Sequence, residues 1–195
     1  TLMPPVNDSA EPFLGQNCRS PASSAEILRR WVWALVQASL FRWSPRPLHG
    51  FRARLLSFFG ADIPEPGKVV IFPTVKITYP WRLFLAPRSM IGPGVTVYNL
   101  AQIHFERGAT VSQNCHLCAG THDYLKWSMP LVANPITIGE NAWVGADVFV
   151  GPGVEIGELA VVGARSVVVR NLPPRTVCVG HPCRPIKVRP DPTAG

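Results

Sequence analysis

From Val69 onward, aliphatic side chains recur with a period that is neither the 3.6 of a helix nor the 2 of a simple strand. Over Ile138 to Val168 they fall every six positions, at Ile138, Val144, Val150, Ile156, Val162 and Val168. Glycine follows the first five, at Gly139, Gly145, Gly151, Gly157 and Gly163. A small or branched residue sits four places on, at Ala142, Val148, Val154, Ala160 and Ser166. Agreement at three positions through five successive hexads marks an internal repeat. If six residues make one short strand and a turn, three hexads close a triangular coil with the aliphatics stacked inside. Each coil then pairs with the next through parallel ladders. The pattern predicts a mainly β chain wound as a parallel β-helix.

The same phase runs upstream with two-residue slips: Ile71 and Ile77, then Leu85, Ile91 and Val97, then Phe105, Val111 and Leu117. Leu85 to Phe105 is 20 residues, against 18 for three hexads, so these coils carry enlarged turns. Between Leu117 and Ile138 the repeat stops. Thr121 to Pro135 reads as a loop protruding from one corner, the kind of segment on which a rigid scaffold positions function.

Before the repeat, the period is helical. Residues 1–24, rich in Pro, Ser, Ala and Asn, read as an extended arm. Residues 25–60 read as a helical segment: Ser24 can cap a run from Glu26 to Phe41, Ser44-Pro45-Arg46-Pro47 breaks it, and a second run from Leu48 to Phe59 ends at Gly60. The β-helix then occupies 61–187, and 188–195 is a tail. The helical runs carry Trp31, Trp33, Trp43 and four phenylalanines alongside six arginines. Such a unit can lie on an anionic membrane surface, or can cap the main domain or a neighbouring subunit. The second is the commoner fate of an amphipathic helix.

Composition narrows the class. With 47% hydrophobic residues, 16 Gly and 21 Pro in 195 residues, the chain is folded and rich in tight turns. A net charge of +7 suits an anionic partner. No aromatic-interleaved basic stripe or RNA-binding signature points to nucleic acid. Five cysteines without scaffold-like spacing read as reduced thiols. With no secretory signal in view, a cytoplasmic protein is expected. Cys115, His116, Cys118 and His122 lie close enough to suggest zinc, but Cys115 occupies an inward hexad site, and no second Cys-x-x-Cys completes a set. No metal site is expected, and Cys118 does not read as a nucleophile. A carbonic-anhydrase-like centre would need three histidines around one metal, which the spacing does not offer.

Beyond the repeat, specific segments carry a likeness. They are the run from Trp33 to Pro45, Val75 to Trp81, Cys118-Ala-Gly-Thr-His-Asp123, Trp143 to Val154, Val162-Gly-Ala-Arg-Ser166 and Gly180-His-Pro-Cys-Arg184. On these the chain resembles the colanic acid biosynthesis acetyltransferases, within the broader group of maltose and galactoside O-acetyltransferases. The hexads alone identify only a fold; the Gly-Thr-His-Asp and Gly-x-Pro-x-Arg segments narrow it. The resemblance implies a left-handed coil, where crossover connections usually wind right-handed. It also implies homotrimers with active sites between subunits, acetyl-CoA as co-substrate, and a sugar or lipid-linked saccharide as acceptor. The work would be done in the cytoplasm or at the inner face of the membrane.

Acetyl transfer to a hydroxyl needs a base, because a neutral alcohol attacks a thioester slowly, and an imidazole suits that task near neutral pH. The resemblance makes His122 that base in a direct transfer without an acyl-enzyme. It places Ala146 as an oxyanion donor, with Trp143 as a wall of the site. Asn99 and Asp123 become candidates for the acceptor, or turn-forming residues. Ala164 falls on the pantetheine groove, and Arg170, Arg184 and Lys187 become phosphate partners. A scaffold or membrane-docking module without catalysis is the alternative from another class.

Overall fold

The computed structural model describes residues 23–190. Residues 1–22 of the arm expected over 1–24 and residues 191–195 of the tail expected over 188–195 lie outside the described residues, while Ser23 and Ser24 belong to the start of the first helix.

A triangular prism of five coils forms the body. The first coil is β1 (Val70–Ile71), β2 (Lys76–Ile77) and β3 (Leu83–Leu85); the second is β4 (Met90–Ile91), β5 (Thr96–Tyr98) and β6 (Ile103–Phe105). In the third, β7 (Thr110–Val111) and β8 (His116–Cys118) are followed by a hairpin of β9 (Gly120–His122) and β10 (Leu131–Ala133), and then β11 (Ile136–Ile138). Next come β12 (Trp143–Val144), β13 (Phe149–Val150) and β14 (Glu155–Ile156), and in the last coil β15 (Val161–Val162) and β16 (Val167–Val168). The chain ends in β17 (Thr176–Gly180) and an antiparallel β18 (Cys183–Val188). Face one stacks β1, β4, β7, β12, β15 and β17. Face two stacks β2, β5, β8, β13 and β16, and face three β3, β6, β11 and β14. Neighbouring coils pair in parallel throughout.

Every aliphatic residue named in the repeat is buried, from Ile71 to Val168, and so is the small residue four places on. The hexad conceals a further rule. The third residue after each aliphatic has a left-handed backbone: Asn141, Asp147, Gly153, Leu159 and Arg165 have φ between 52 and 77°. Each turns the chain through one corner of the triangle. Asn, Asp and Gly adopt that conformation readily. Leu159 and Arg165 hold it at a cost of roughly 1–2 kcal/mol each, borne by the packing around them. Gly157 answers to a different constraint: a Cβ there would stand 2.5 Å from Pro174 N on the next turn, so only hydrogen fits.

The open lower edge of the first coil would present unpaired backbone groups on three faces, a template for aggregation. The helical segment closes two of them. α1 (Ser24–Val36) continues through a π-helical turn, Gln37–Phe41, and α2 (His49–Phe58) follows. The helix is capped by Ser23, whose hydroxyl accepts from Glu26 N, one residue earlier than the expected Ser24. On face two, Trp33 Nε1 donates to Ile77 O at 2.7 Å and Ile77 N donates to Gln37 Oε1 at 2.6 Å. On face one, Arg52 Nε donates to Ile71 O at 2.6 Å. On face three, Asp62 bridges Phe84 through its own backbone. The rest of the buried Arg52 guanidinium meets Ser44 Oγ, Pro45 O and Arg46 O, tying the inter-helix turn to the cap. Burial lowers its pKa.

Candidate active site

Extra residues accumulate at one corner only, between faces two and three. There, successive inward aliphatics stand eight positions apart in the first coil (77 to 85) and the second (97 to 105), and in the third the hairpin emerges (117 to 138). Asn99 holds this corner together: its Oδ1 accepts from Tyr79 N at 2.9 Å and its Nδ2 donates to Tyr79 O at 2.6 Å. With 0% exposure and both ends of its amide engaged, Asn99 is a buried tie between the two enlarged turns and offers an acceptor no surface.

His122 ends β9 and faces Leu131 across the hairpin. Asp123 closes the tip, its Oδ1 accepting from Leu125 N at 3.1 Å and its Oδ2 pairing with Lys126 Nζ at 3.4 Å. That carboxylate does not touch the imidazole. The partner of the ring is one that sequence reasoning missed: His122 Nδ1 lies 2.6 Å from Met129 O. A carbonyl can only accept, so Nδ1 carries the hydrogen and, in the neutral ring, Nε2 keeps its lone pair. Met129 has φ 40°, and its N–H returns to Lys126 O. A backbone carbonyl carries no residue signature, so only the fold of the hairpin reveals it.

The donor-side candidates gather at another corner, between faces one and two. Ala146 and Ala164 occupy the same turn position one coil apart, tied by Arg165 N donating to Ala146 O at 2.8 Å. No acceptor among the described residues takes the Ala146 N–H. Trp143, on face one beside this corner, is half exposed and donates from Nε1 to Ser112 Oγ at 3.0 Å. Arg184 pairs with Val179, which packs on Gly163 beside the same corner. Lys187 lies farther along β18, opposite Val177. Arg170 is exposed at the other corner of face two, in the last coil.

The prism thus brings Trp143, Ala146, Ala164 and Arg184 to one corner and sets His122 and Arg170 on the far side of face two. Between them runs a row the sequence did not single out: Tyr98, His116 and Phe149 point outward on adjacent strands, with ring centroids 6.5 and 5.7 Å apart. Burial pushes the Tyr98 hydroxyl up and the His116 imidazole down from their ordinary values. Of the residues considered for zinc, Cys115 points into the prism with Sγ 2.9 Å from Gly145 O, while His116 points out. The two are consecutive residues on opposite faces of the chain, one inside the prism and one outside, so they cannot meet at one ion. The described residues hold no cluster of three or more metal-ligating side chains.

The coils, the hexads and the histidine corner define the class, a hexapeptide-repeat acetyltransferase. Residues 135–170 match the family model for bacterial transferase hexapeptide (six repeats). Over 158 residues the chain is 46% identical to the "Putative colanic acid biosynthesis acetyltransferase WcaF" of Escherichia coli K12, covering 81% of this chain and 86% of the relative. The protein belongs to that family of acetyltransferases. A shorter stretch of 66 residues, 34% of this chain and 32% of the relative, is 44% identical to the galactoside O-acetyltransferase of E. coli K12. Among solved structures, a maltose O-acetyltransferase from Clostridium difficile 630 superposes with a TM-score of 0.75 at 23% identity, covering 87% of this chain and 90% of that one. The hexapeptide-repeat acetyltransferase VCA0836 from Vibrio cholerae, complexed with acetyl coenzyme A, gives 0.73 at 24%, covering 88% and 93%. The fold is the left-handed β-helix.

Proposed function

We propose that this enzyme transfers acetyl from acetyl-CoA to a hydroxyl of a sugar during bacterial exopolysaccharide biosynthesis, directly and without an acyl-enzyme. The observation that carries the reading is the Met129 carbonyl on His122 Nδ1, which leaves Nε2 as a free base on an outward corner. Nε2 takes the hydroxyl proton as the oxygen bonds to the acetyl carbonyl carbon. The oxyanion is met by the Ala146 N–H. The carbon–sulfur bond then breaks, and the imidazolium returns its proton to the departing thiolate. Trp143 walls the site, the groove at Ala164 receives the pantetheine arm, Arg184 and Lys187 meet the phosphates from the same subunit, and Arg170, on the far side of face two, reaches them from the adjoining one. The transfer so written needs no metal ion.

The relatives' names support acetyl transfer in polysaccharide synthesis, and a neighbour's complex with acetyl coenzyme A supports the donor. The separation of the two corners supports a homotrimer with active sites between subunits. With the base and the donor groove on opposite sides of face two, one subunit's hairpin completes the groove of the next. His122→Ala is expected to lower turnover by about 10²–10⁴-fold. Turnover is followed as CoA thiol release with a panel of sugar acceptors. Melting temperature, trimer mass and calorimetric affinity for acetyl-CoA should stay unchanged. Retained turnover would overturn the base assignment, and absence of acetyl-CoA binding by the unmodified protein would overturn the donor.

A further inference from the structure

Two of the caps on the prism's lower end are built from helices that bury only part of their apolar surface. Trp33, Phe41, Ala53 and Leu56 go inward, whereas Leu35 is 70% exposed, Trp31 68%, Trp43 81% and Phe58 83%. Leu40, Trp43, Pro45, Leu48 and Phe51 line one shallow concavity of about 500 Å³ around the inter-helix turn. This is more bulky apolar surface than a monomer leaves open without a use.

Charge says what covers it. From Ile27 to Ala61 there is no Asp or Glu, while arginine occurs at 29, 30, 42, 46, 52 and 54. Arg52 is consumed by the cap and Arg29 donates to Phe59 O. Arg42, Arg46 and Arg54 are exposed and have no carboxylate partner among the described residues. Arg42 stands over the Trp43 ring and Arg46 over Phe72, so their cationic heads lie beside aromatic surface and not apart from it. A second copy of this face would set cation against cation. An anionic headgroup layer instead offers phosphates to the arginines and an acyl boundary to the tryptophans, which favour that depth. No helix of the described residues is long and apolar enough to cross a membrane, so contact would be at the surface.

We infer that the helical cap docks this protein on the surface of an anionic phospholipid bilayer, with Trp31 and Trp43 at the headgroup boundary and Arg42, Arg46 and Arg54 on the phosphates. The docking stands independently of the acetyl-transfer reading. On that reading, it sets the hairpin of His122 two coils above the cap, a rise of roughly 10 Å at about 4.8 Å per coil, within reach of a saccharide held on a lipid.

The test is co-sedimentation of the full chain with phosphatidylcholine vesicles, with and without phosphatidylglycerol, at low and high salt. Binding is expected only with phosphatidylglycerol and should weaken as salt rises. Arg42→Glu/Arg46→Glu, at exposed positions that leave the fold alone, should lower partitioning at least about tenfold. Trp31→Ser/Trp43→Ser should lower it further at unchanged oligomer mass by light scattering. No binding to phosphatidylglycerol vesicles, or partitioning untouched by the charge reversal, overturns the inference. So does loss of oligomer mass in the tryptophan variant, which would make the face a subunit contact.

Discussion

The two halves of the prism treat the same corner differently. In coil four the corner between faces two and three is turned by the bare hexad from Val150 to Ile156, and in coil five by the still shorter step from Val168 to Leu172, where Arg170 is exposed and no hairpin emerges. In coils one to three it is enlarged, tied by Asn99, and finally opened into the hairpin that bears His122. Regularity serves stability, because identical coils bury identical stripes. On the proposed reading the base sits where the repeat is broken, since an inward-facing stack has no side chain to offer a substrate.

Substitutions can break that contrast. The largest effect on the fold is expected from Arg52→Leu, which strands Arg46 O and takes one of two donors each from Ile71 O and Pro45 O at the lower cap. A loss of about 3–5 kcal/mol, read by urea unfolding, is the expected outcome, with a loss below about 1 kcal/mol refuting the cap's role. Within the regular coils, Gly157→Ala drives a Cβ to 2.5 Å from Pro174 N and should cost about 2–3 kcal/mol. Gly151→Ala finds its nearest neighbour at 3.5 Å and should melt within a degree or two of the parent. Equal losses would show that hexad glycines are kept for backbone freedom and not for contact.

In the broken coils, Asp123→Ala removes only the Leu125 and Lys126 contacts. It should change turnover less than about fivefold, set against the far larger loss for His122→Ala. A drop of a hundredfold would give that carboxylate a direct part in the reaction. The smallest effect concerns thiols. Burial pushes Cys115 up to about 11, so at pH 8 only about one thiol in a thousand is ionised. Iodoacetamide followed by peptide mass spectrometry should therefore label half-buried Cys118 in the folded protein and spare Cys115 until denaturant is added.

Reading the chain alone succeeded where the constraint repeats. Six aliphatic positions from Ile138 to Val168 announced the prism because every coil imposes the same inward stripe. The protruding loop was legible as the place where that stripe stops, and the family likeness drew His122 out of it. What escaped the sequence depends on pairing between distant segments. Asn99 looks like an acceptor ligand in one dimension, yet Tyr79 on the previous coil occupies its whole amide. Asp123, next in chain to the histidine, turns away to the tip, while Met129, seven residues on, supplies the orienting carbonyl.

The sequence by itself determined the period, and with it the triangular coil, the inward residues and the corner at which regularity fails. These follow from burying one aliphatic per side, a local rule written into each hexad. Tertiary structure alone decided which groups meet. It tied Asn99 into the fold, freed His122 Nε2, and parted the histidine corner from the Ala146 corner by the width of one face. Hydrogen bonds between coils and across the hairpin join residues whose separation no local pattern records.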